Sequence, residues 1–548
     1  MKATSRTMNI LLAGVVLPLL AGCGASEIAS PGTSGNVTIN FPPSPTPSPT
    51  PTPTPTPAVT AATGCPTIAD PQGLKDDGTV SGPTGTWRVC TLPAIVAKSI
   101  TLPKIAGLVY QINGRVDIGC DGGRTAPTSG APFTSSTVGC TAAKGFTLDG
   151  SGRLTADTNV VLTIEPGVIL FGASGPSWVA VNRGNRINAT GTAAKPIIFT
   201  SRDNILGINN DSSIGQWGGV VLLGRGVTTD CTFGSVGAGT CERQTEGAVD
   251  PAVFGGSDNA YNAGTMKYVQ IRYSGYILSS TFELQALTTE AIGTGTTLDY
   301  VQSHNSSDDG AEFFGGAVNF KHYIATGADD DSLDADTGVK ARFQHVLLVQ
   351  RDGQGDALME IDSNGNEGDT PRTDLIVANF TAIQRQDSSN NTANDQASTL
   401  FRGNSDTKLL NGVFVAPNNE CVRLNGSGTT PVTLQARSVV MQCNATKYLG
   451  SGSITAAQVA TAFGSGANGN NDAYTPSLTA VFVNGATETA VAAVDPKTFD
   501  PFFDTTNYIG AVKDASETWQ KVWTCNSGYI GFDDTTNANR SCTSLPTT

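Results

Sequence analysis

The chain has 548 residues, with 47 carboxylates against 33 lysines and arginines for a formal charge of −14. That balance excludes a basic nucleic-acid surface and argues against adhesion to anionic lipid, while it suits cation binding or solubility outside a cell. With 63 glycines and no long amphipathic helical pattern, the chain reads as all-β.

In chain order, the first element is an export signal over residues 1–22. Lys2 and Arg6 precede an apolar run from Ile10 to Leu20, too short for a permanent span, which needs ~20 apolar residues. The run ends in Leu20-Ala21-Gly22-Cys23, which resembles the lipobox of bacterial lipoproteins. The resemblance implies cleavage before Cys23 and acylation of that cysteine. Gly24, where an aspartate would retain the chain at the inner membrane, implies the outer membrane. Several acyl chains on one residue make a stable anchor, since each buried methylene contributes ~0.8 kcal/mol. Removing 1–22 takes away Lys2 and Arg6 and no acid, so −14 becomes −16.

Residues 23–64 read as the lipid anchor and a disordered Pro/Thr-rich linker. PPSPTPSPTPTPTPTP (42–57) favours an extended polyproline II rod, which at ~3.1 Å per residue spans roughly 50 Å. A proline-rich ligand for a partner domain is the other reading of such a run.

From 65 to 548 the chain reads as one domain. Short apolar runs alternate with turn residues: VVLTIEPGVILFG (160–172), KPIIFTS (195–201), WGGVVLLG (217–224), MKYVQIRYSG (266–275), LDYVQSHNSS (298–307), FKHYIATG (320–327), FQHVLLVQ (343–350) and LIVANFTAI (375–383). Their recurrence, roughly 20–30 residues between related strands, suits a single-stranded solenoid with long loops rather than a two-sheet sandwich. One helical stretch stands out, SITAAQVATAF (453–463), placed in a loop. Eleven cysteines less Cys23 leave ten, an even number. In sequence order they fall into neighbours: Cys65 with Cys90, Cys120 with Cys140, Cys231 with Cys241, Cys421 with Cys443, and Cys525 with Cys542. Local disulfides between these neighbours are expected, each contributing roughly 2–4 kcal/mol in an oxidising compartment. No pair has C-x-x-C spacing, which argues against thiol redox chemistry and structural zinc.

An internal alignment runs through GADDDSLDADTG (327–338). DDGAEFFGG (308–316) aligns with DDSLDADTG (330–338) at an offset of 22, and GDALMEIDSNG (355–365) continues the series. Asp308, Asp330 and Asp356 then share one repeat position and Glu312, Asp334 and Glu360 another, with Asp309 opposite Asp331 and Asp336 opposite Asp362. An offset of 22 suffices for one coil of a parallel β-helix of three short strands and three turns, with successive coils ~4.8 Å apart.

The blocks EPGVILFG, NRINATGTAAKPIIFTS, GQWGGVVLLGRG, KYVQIRYSG, the acidic run and TWQKVWTCN are similar to a largely uncharacterised family of exported Gram-negative lipoproteins. The resemblance covers roughly residues 100–530 and implies a right-handed parallel β-helix at the outer membrane; it implies no reaction.

Three readings of the acidic repeat follow. A cation site would use Asp308, Asp309, Glu312, Asp330, Asp331, Asp334, Asp356, Glu360 and Asp362, and calcium suits such a set because it takes six to eight oxygens in flexible geometry. Solvated acidic turns account for much of the same pattern. Catalytic carboxylates are the third reading, as in glycoside hydrolysis. SSDDG (306–310) echoes the paired aspartates of polygalacturonases, but Gly-His-Gly and Arg-Ile-Lys are absent, and the cations a lyase needs are only Lys321, Arg342 or Arg351. No catalytic residue is assigned. DSNGNEGD (362–369) departs from an EF-hand loop at Glu367 and Thr373. His304, His322 and His345 read as partly buried residues without a common register, and Trp178 and Trp217 as packing against coil ends rather than as sugar platforms.

The expected function is therefore an outer-membrane lipoprotein, facing the surface or the periplasm. It acts as a binding or structural module for a glycan, a cation or a membrane partner such as an outer-membrane transporter. The alternative is a carbohydrate-active enzyme, a polysaccharide lyase or glycoside hydrolase, on the same acidic face.

Overall fold

A computed structural model describes residues 58–547 apart from 174, 249, 280–281, 364–367, 394–395, 427–429 and 533–539. The export signal, Cys23 and the proline run to 57 lie outside the described residues, as does the middle of the 362–369 loop.

Every long strand pairs in parallel with its counterpart one coil away, and the chain winds as a right-handed parallel β-helix. Parallel strands covered on both faces need continuous apolar runs, and Ile197–Ser201 and Gly219–Leu223 are buried throughout. Three walls result. The first holds Val161–Ile164 and Arg186–Thr190, continued by the front halves of Gly264–Arg272, Thr297–His304 and later long strands. The second holds Leu108–Ile112, Ile169–Gly172 and Ile197–Ser201, continued by the rear halves. A separate 11-stranded sheet, running from Ile95–Val96 to Tyr448–Gly452, makes the third. An antiparallel hairpin, Lys75–Gly82 with Gly85–Thr91, joins the stack at its start, and Val59 already bridges to Gly85.

One residue per coil bends the long strands between the first two walls. Tyr268, Tyr300, His322, His345, Asn379, Asn411 and Ser438 all take φ of 51–60°. This left-handed conformation costs an ordinary residue ~1–2 kcal/mol. Part is recovered by stacking: ring centroids lie 4.4 Å apart for Tyr268–Tyr300, 4.0 Å for Tyr300–His322 and 4.9 Å for His322–His345. His322 and His345 thus share a register, which corrects the reading above. His304 belongs to another file, its Nδ1 2.9 Å from Thr326 Oγ1.

The interior is filled by side chains from all three walls, among them Phe313, Phe320 and Phe343, whose rings meet at 4.9–6.2 Å. Gly412 leaves room for the ring of Phe380, since a Cβ there would lie 2.0 Å from it. The helix expected around 453–463 forms as Ala456–Phe463, started by a Thr455–Gln458 capping box. It is not a loop helix. Val459 and Phe463 enter the main core against the last coil. Trp217 is also core, its indole N–H donating to Arg272 O at 2.9 Å, and Trp178 is buried under the Arg115 guanidinium at 5.0 Å.

All ten cysteines after Cys23 are joined, and each to its sequence neighbour. Cys65 is bonded to Cys90, Cys120 to Cys140, and Cys231 to Cys241. Cys421 is bonded to Cys443, and Cys525 to Cys542. Their places in the coil explain the short loops. Cys90 lies in the second strand of the opening hairpin and Cys443 ends the last long strand, Thr433–Cys443, so these two bridges staple opposite ends of the stack. Cys140 and Cys241 lie in insertions between coils and tie those loops down.

Among the described residues, 464–547 add no strand to the three walls but run back along the coils. Most coils hold them by a side-chain amide, while Ala317–Thr326 uses Lys321 against Asp504 and Thr433–Cys443 uses Ser438 against Ala492 O. Asn411 grips Val494 through both its carbonyl and its N–H, and Asn379 donates to Tyr508 O. Gln344 grips Asp504, Gln302 grips Cys525, and Gln270 donates to Trp523 O. Asn411→Ala removes two part-buried bonds of 2.8 and 2.9 Å at a left-handed position. The expected cost is about 2–4 kcal/mol, read as a lower urea midpoint, with earlier proteolysis inside 464–547 than in the coil.

Candidate functional site

Side chains alternate across the short third-wall strands. In Ala311–Phe314, Asp334–Asp336 and Met359–Ile361, the inward positions are Ala311, Phe313, Ala335, Met359 and Ile361, all in the core. The outward positions are acidic, Glu312, Asp334, Asp336 and Glu360, apart from Phe314. Glu312 pairs in register with Asp334, and Asp334 with Glu360. Four residues earlier in each coil, at the turn into the wall, stand Asp308, Asp330 and Asp356, tied by a 3.0 Å bond from Asp356 N–H to Asp330 O. The expected alignment is thus realised as two adjacent files.

The turn aspartates also bind the backbone of the next coil. Asp309 Oδ1 accepts from Asp331 N–H at 2.9 Å, and Asp331 Oδ1 accepts from Ala357 N–H at 2.6 Å. Part of the pattern is therefore turn chemistry. Most of these turn carboxylates are shielded from solvent, however: Asp308, Asp309, Asp331 and Asp356 are 7%, 5%, 3% and 4% exposed, and Asp330 is half-buried.

Three overlapping triads bring carboxylate oxygens within 4.8 Å of one another. They are Asp308 with Asp309 and Asp330, Asp309 with Glu312 and Asp334, and Asp331 with Asp334 and Glu360. Asp356 stays in its file outside these triads, and Asp362 is drawn aside by Arg402, whose Nε lies 2.7 Å from it. Two charges at such separations repel by about 3 kcal/mol at an effective dielectric of 20. The consequences are large. Burial, reinforced by Asp308, Asp334 and Asp330, pushes the Asp309 carboxyl well above the usual range. Burial and Asp334 do the same to Glu312, and burial with Glu360 and Asp336 to Asp334, against the pull of Arg402. Asp336 and Glu360 are raised for the same reasons. Among the described residues, buried Asp334 Oδ1 has no hydrogen-bond partner.

Several contributors were not visible as such in the sequence. Arg402 ion-pairs with both Glu360 and Asp362. The hairpin Arg243–Gln244 with Val253–Phe254 packs on the outer face, Phe254 against Phe314 at 6.2 Å. Its Arg243 works against the upward push that burial and Asp362 exert on the Asp336 carboxyl. Under the hairpin, burial pushes Glu290 up to about 8, with Thr245 donating to it at 2.9 Å. The cations considered for a lyase are engaged elsewhere: Lys321 with Asp504, Arg342 with Asp374 and Asp500, Arg351 with Asp329. The donor set is purely oxygen, and the triads overlap. These clusters can hold a metal ion, and hard cations with six to eight oxygen ligands fit them best.

A family model described as a pectate-lyase-like β-helix domain matches residues 133–524. No curated protein and no solved structure matches the chain.

Carboxyls whose native pKa lies above the unfolded value bind more protons in the folded state, so their contribution to stability falls as pH rises. These carboxyls should therefore cost the cation-free protein stability from about pH 4 upward, with Glu290 carrying the trend to about pH 8. Buried His304 and His345, held below the usual imidazole range, act in the opposite direction up to about pH 6.5. Asp334→Asn should raise the melting temperature in chelator at pH 7.5 by the equivalent of about 1 kcal/mol or more, and change little at pH 4. A neutral-pH melt unchanged or lowered by the substitution would contradict the repulsive file.

Proposed function

The chain belongs to the pectate-lyase-like β-helix family, and from that premise we propose that it is an exported, lipid-anchored glycan-binding module whose acidic third wall holds calcium. The observation that carries this reading is the set of overlapping buried triads around unpartnered Asp334 Oδ1. Calcium would relieve their repulsion and fix the wall as a rigid surface. Five disulfides support an oxidising compartment, and Leu20-Ala21-Gly22-Cys23 supports a lipid anchor in the outer membrane. A bound cation at such a wall attracts the carboxylates of an acidic polysaccharide, which the net charge of −14 would otherwise repel.

A second reading, cleavage of the polysaccharide, draws on one observation. Arg402, 41% exposed, closes the acidic file beside Glu360 and Asp362. A β-eliminating lyase needs a cation against the uronate carboxylate and a base near the adjacent C–H, and this corner offers both kinds of group.

Calcium at 100 times its dissociation constant stabilises a single-site protein by ~2.7 kcal/mol. A melt that rises with calcium, returns with chelator and responds weakly in Asp334→Asn supports the site; an unchanged wild-type melt removes calcium. Calcium-dependent retention on acidic polysaccharide, without an ultraviolet-absorbing unsaturated product, separates binding from cleavage. If that product accumulates and is lost in Arg402→Gln, the lyase reading replaces the binding one. For the anchor, Cys23→Ala should move the protein from the membrane fraction to the soluble fraction; unchanged fractionation would refute lipidation at that residue.

A further inference from the structure

The second wall carries a cleft of about 700 Å³ whose charge is opposite to that of the molecule. It is lined by Lys104, Lys195, Ile198, Arg272, Val522 and Arg540, and the chain end at Pro546 and Thr547 closes one side. Arg272 forms the floor and is 1% exposed. Its guanidinium donates to Gln270 Oε1 and, at 2.9 Å each, to the carbonyls of Cys542 and Ser544. All of these acceptors are neutral. The other buried arginines have carboxylates: Arg183 has Asp121 and Glu242, Arg225 has Asp157, and Arg351 has Asp329. Among the described residues, no carboxylate lies within ion-pair distance of Arg272, Lys104, Lys195 or Arg540.

A buried charge without a counterion is strongly unfavourable, and burial pulls Arg272 down to about 10. Lys104 and Lys195 flank Gly167, where an added Cβ would lie 3.8 Å from Lys104 Cε and 3.4 Å from Lys195 Cβ. Burial and the charge of Lys195 hold the Lys104 ammonium below its usual range. Cations thus face one cavity from its floor, wall and rim. Between them the surface is apolar, with Ala106, Ala194 and Pro196 joining Ile198 and Val522. The volume is that of an ordinary small-molecule site.

We propose that this cleft binds an organic oxyanion, a carboxylate or phosphate carried on an apolar body. The anionic group sits among Lys104, Lys195 and Arg272, and the body lies along Ile198 and Val522. The site is separate from the acidic wall and does not depend on its metal.

Titration calorimetry of the full mature chain, in chelator and again in calcium, tests this with octyl phosphate, octanoate and neutral octyl glucoside below their micellar concentrations. Saturable binding of one or both anions is expected, with the stronger of the two identifying phosphate or carboxylate. It should weaken at least tenfold in the double variant Lys104→Gln with Lys195→Gln at an unchanged melt, and weaken as sodium chloride is raised. No binding of either anion, equal binding of octyl glucoside, or undiminished binding by the double variant would each overturn the proposal. Salt dependence of the wild type decides the matter if the variant is unstable.

Discussion

The whole structure rests on parallel strands stacking in register, with each coil ~4.8 Å above the last. Any residue repeated at one coil position becomes a column, and the chemistry of that residue decides whether the column stabilises or strains the fold. Three columns show the range. The inward apolar positions gain dispersion and exclude water, as in the Phe313, Phe320 and Phe343 cluster. The left-handed bend column is intermediate, since its conformational cost is set against stacked tyrosine and histidine rings. The outward acidic column is unfavourable by itself, because burial and like charge act in the same direction on Glu312, Asp334 and Glu360.

An unfavourable column has two ways out within the fold. Protons can neutralise it, which is the state toward which burial pushes Asp309 and Asp334. A cation can do the same while leaving the oxygens ionised and oriented. Arg402 shows the second solution at one end of the file, where its guanidinium spans Glu360 and Asp362. Further along, no protein cation among the described residues ion-pairs with Asp309, Glu312 or Asp334. That is where an oxygen-seeking metal has most to contribute.

The acidic files were legible in the sequence because Asp308 to Asp330 and Asp330 to Asp356 are separated by 22 and 26 residues, coils with almost no insertion. The next coil is longer: Glu360 faces Leu400, so Arg402 arrives after a 40-residue interval that hides its register. The pairing of His322 with His345 was concealed differently, because Asp330 follows His322 by eight residues whereas Asp356 follows His345 by eleven. The cysteine pairs were readable since each joins sequence neighbours 10–25 residues apart, from Cys231 with Cys241 to Cys65 with Cys90. The return of 464–547 along the coils left no periodic trace. Its bonds from Asn411 to Val494 and from Gln302 to Cys525 span 83 and 223 residues.

That returning segment explains why the cationic cleft exists where it does. The coil amides satisfy its backbone one after another, from Asn411 down to Gln270, so the segment stays pinned while it follows the stack. Near its end the gripping group changes from a neutral amide to Arg272, which binds the carbonyls of Cys542 and Ser544. A guanidinium meets the hydrogen-bonding requirement as well as an amide does, but it also brings a full charge into the interior. Neutral acceptors cannot offset that charge. The fold leaves the cavity beside Arg272 open between Lys104 and Lys195, so an anion entering it would be placed to offset that charge. The acidic wall and the basic cleft are thus the same problem with opposite sign: a column or a strap satisfies geometry first, and leaves over a charge that a ligand of opposite sign would offset.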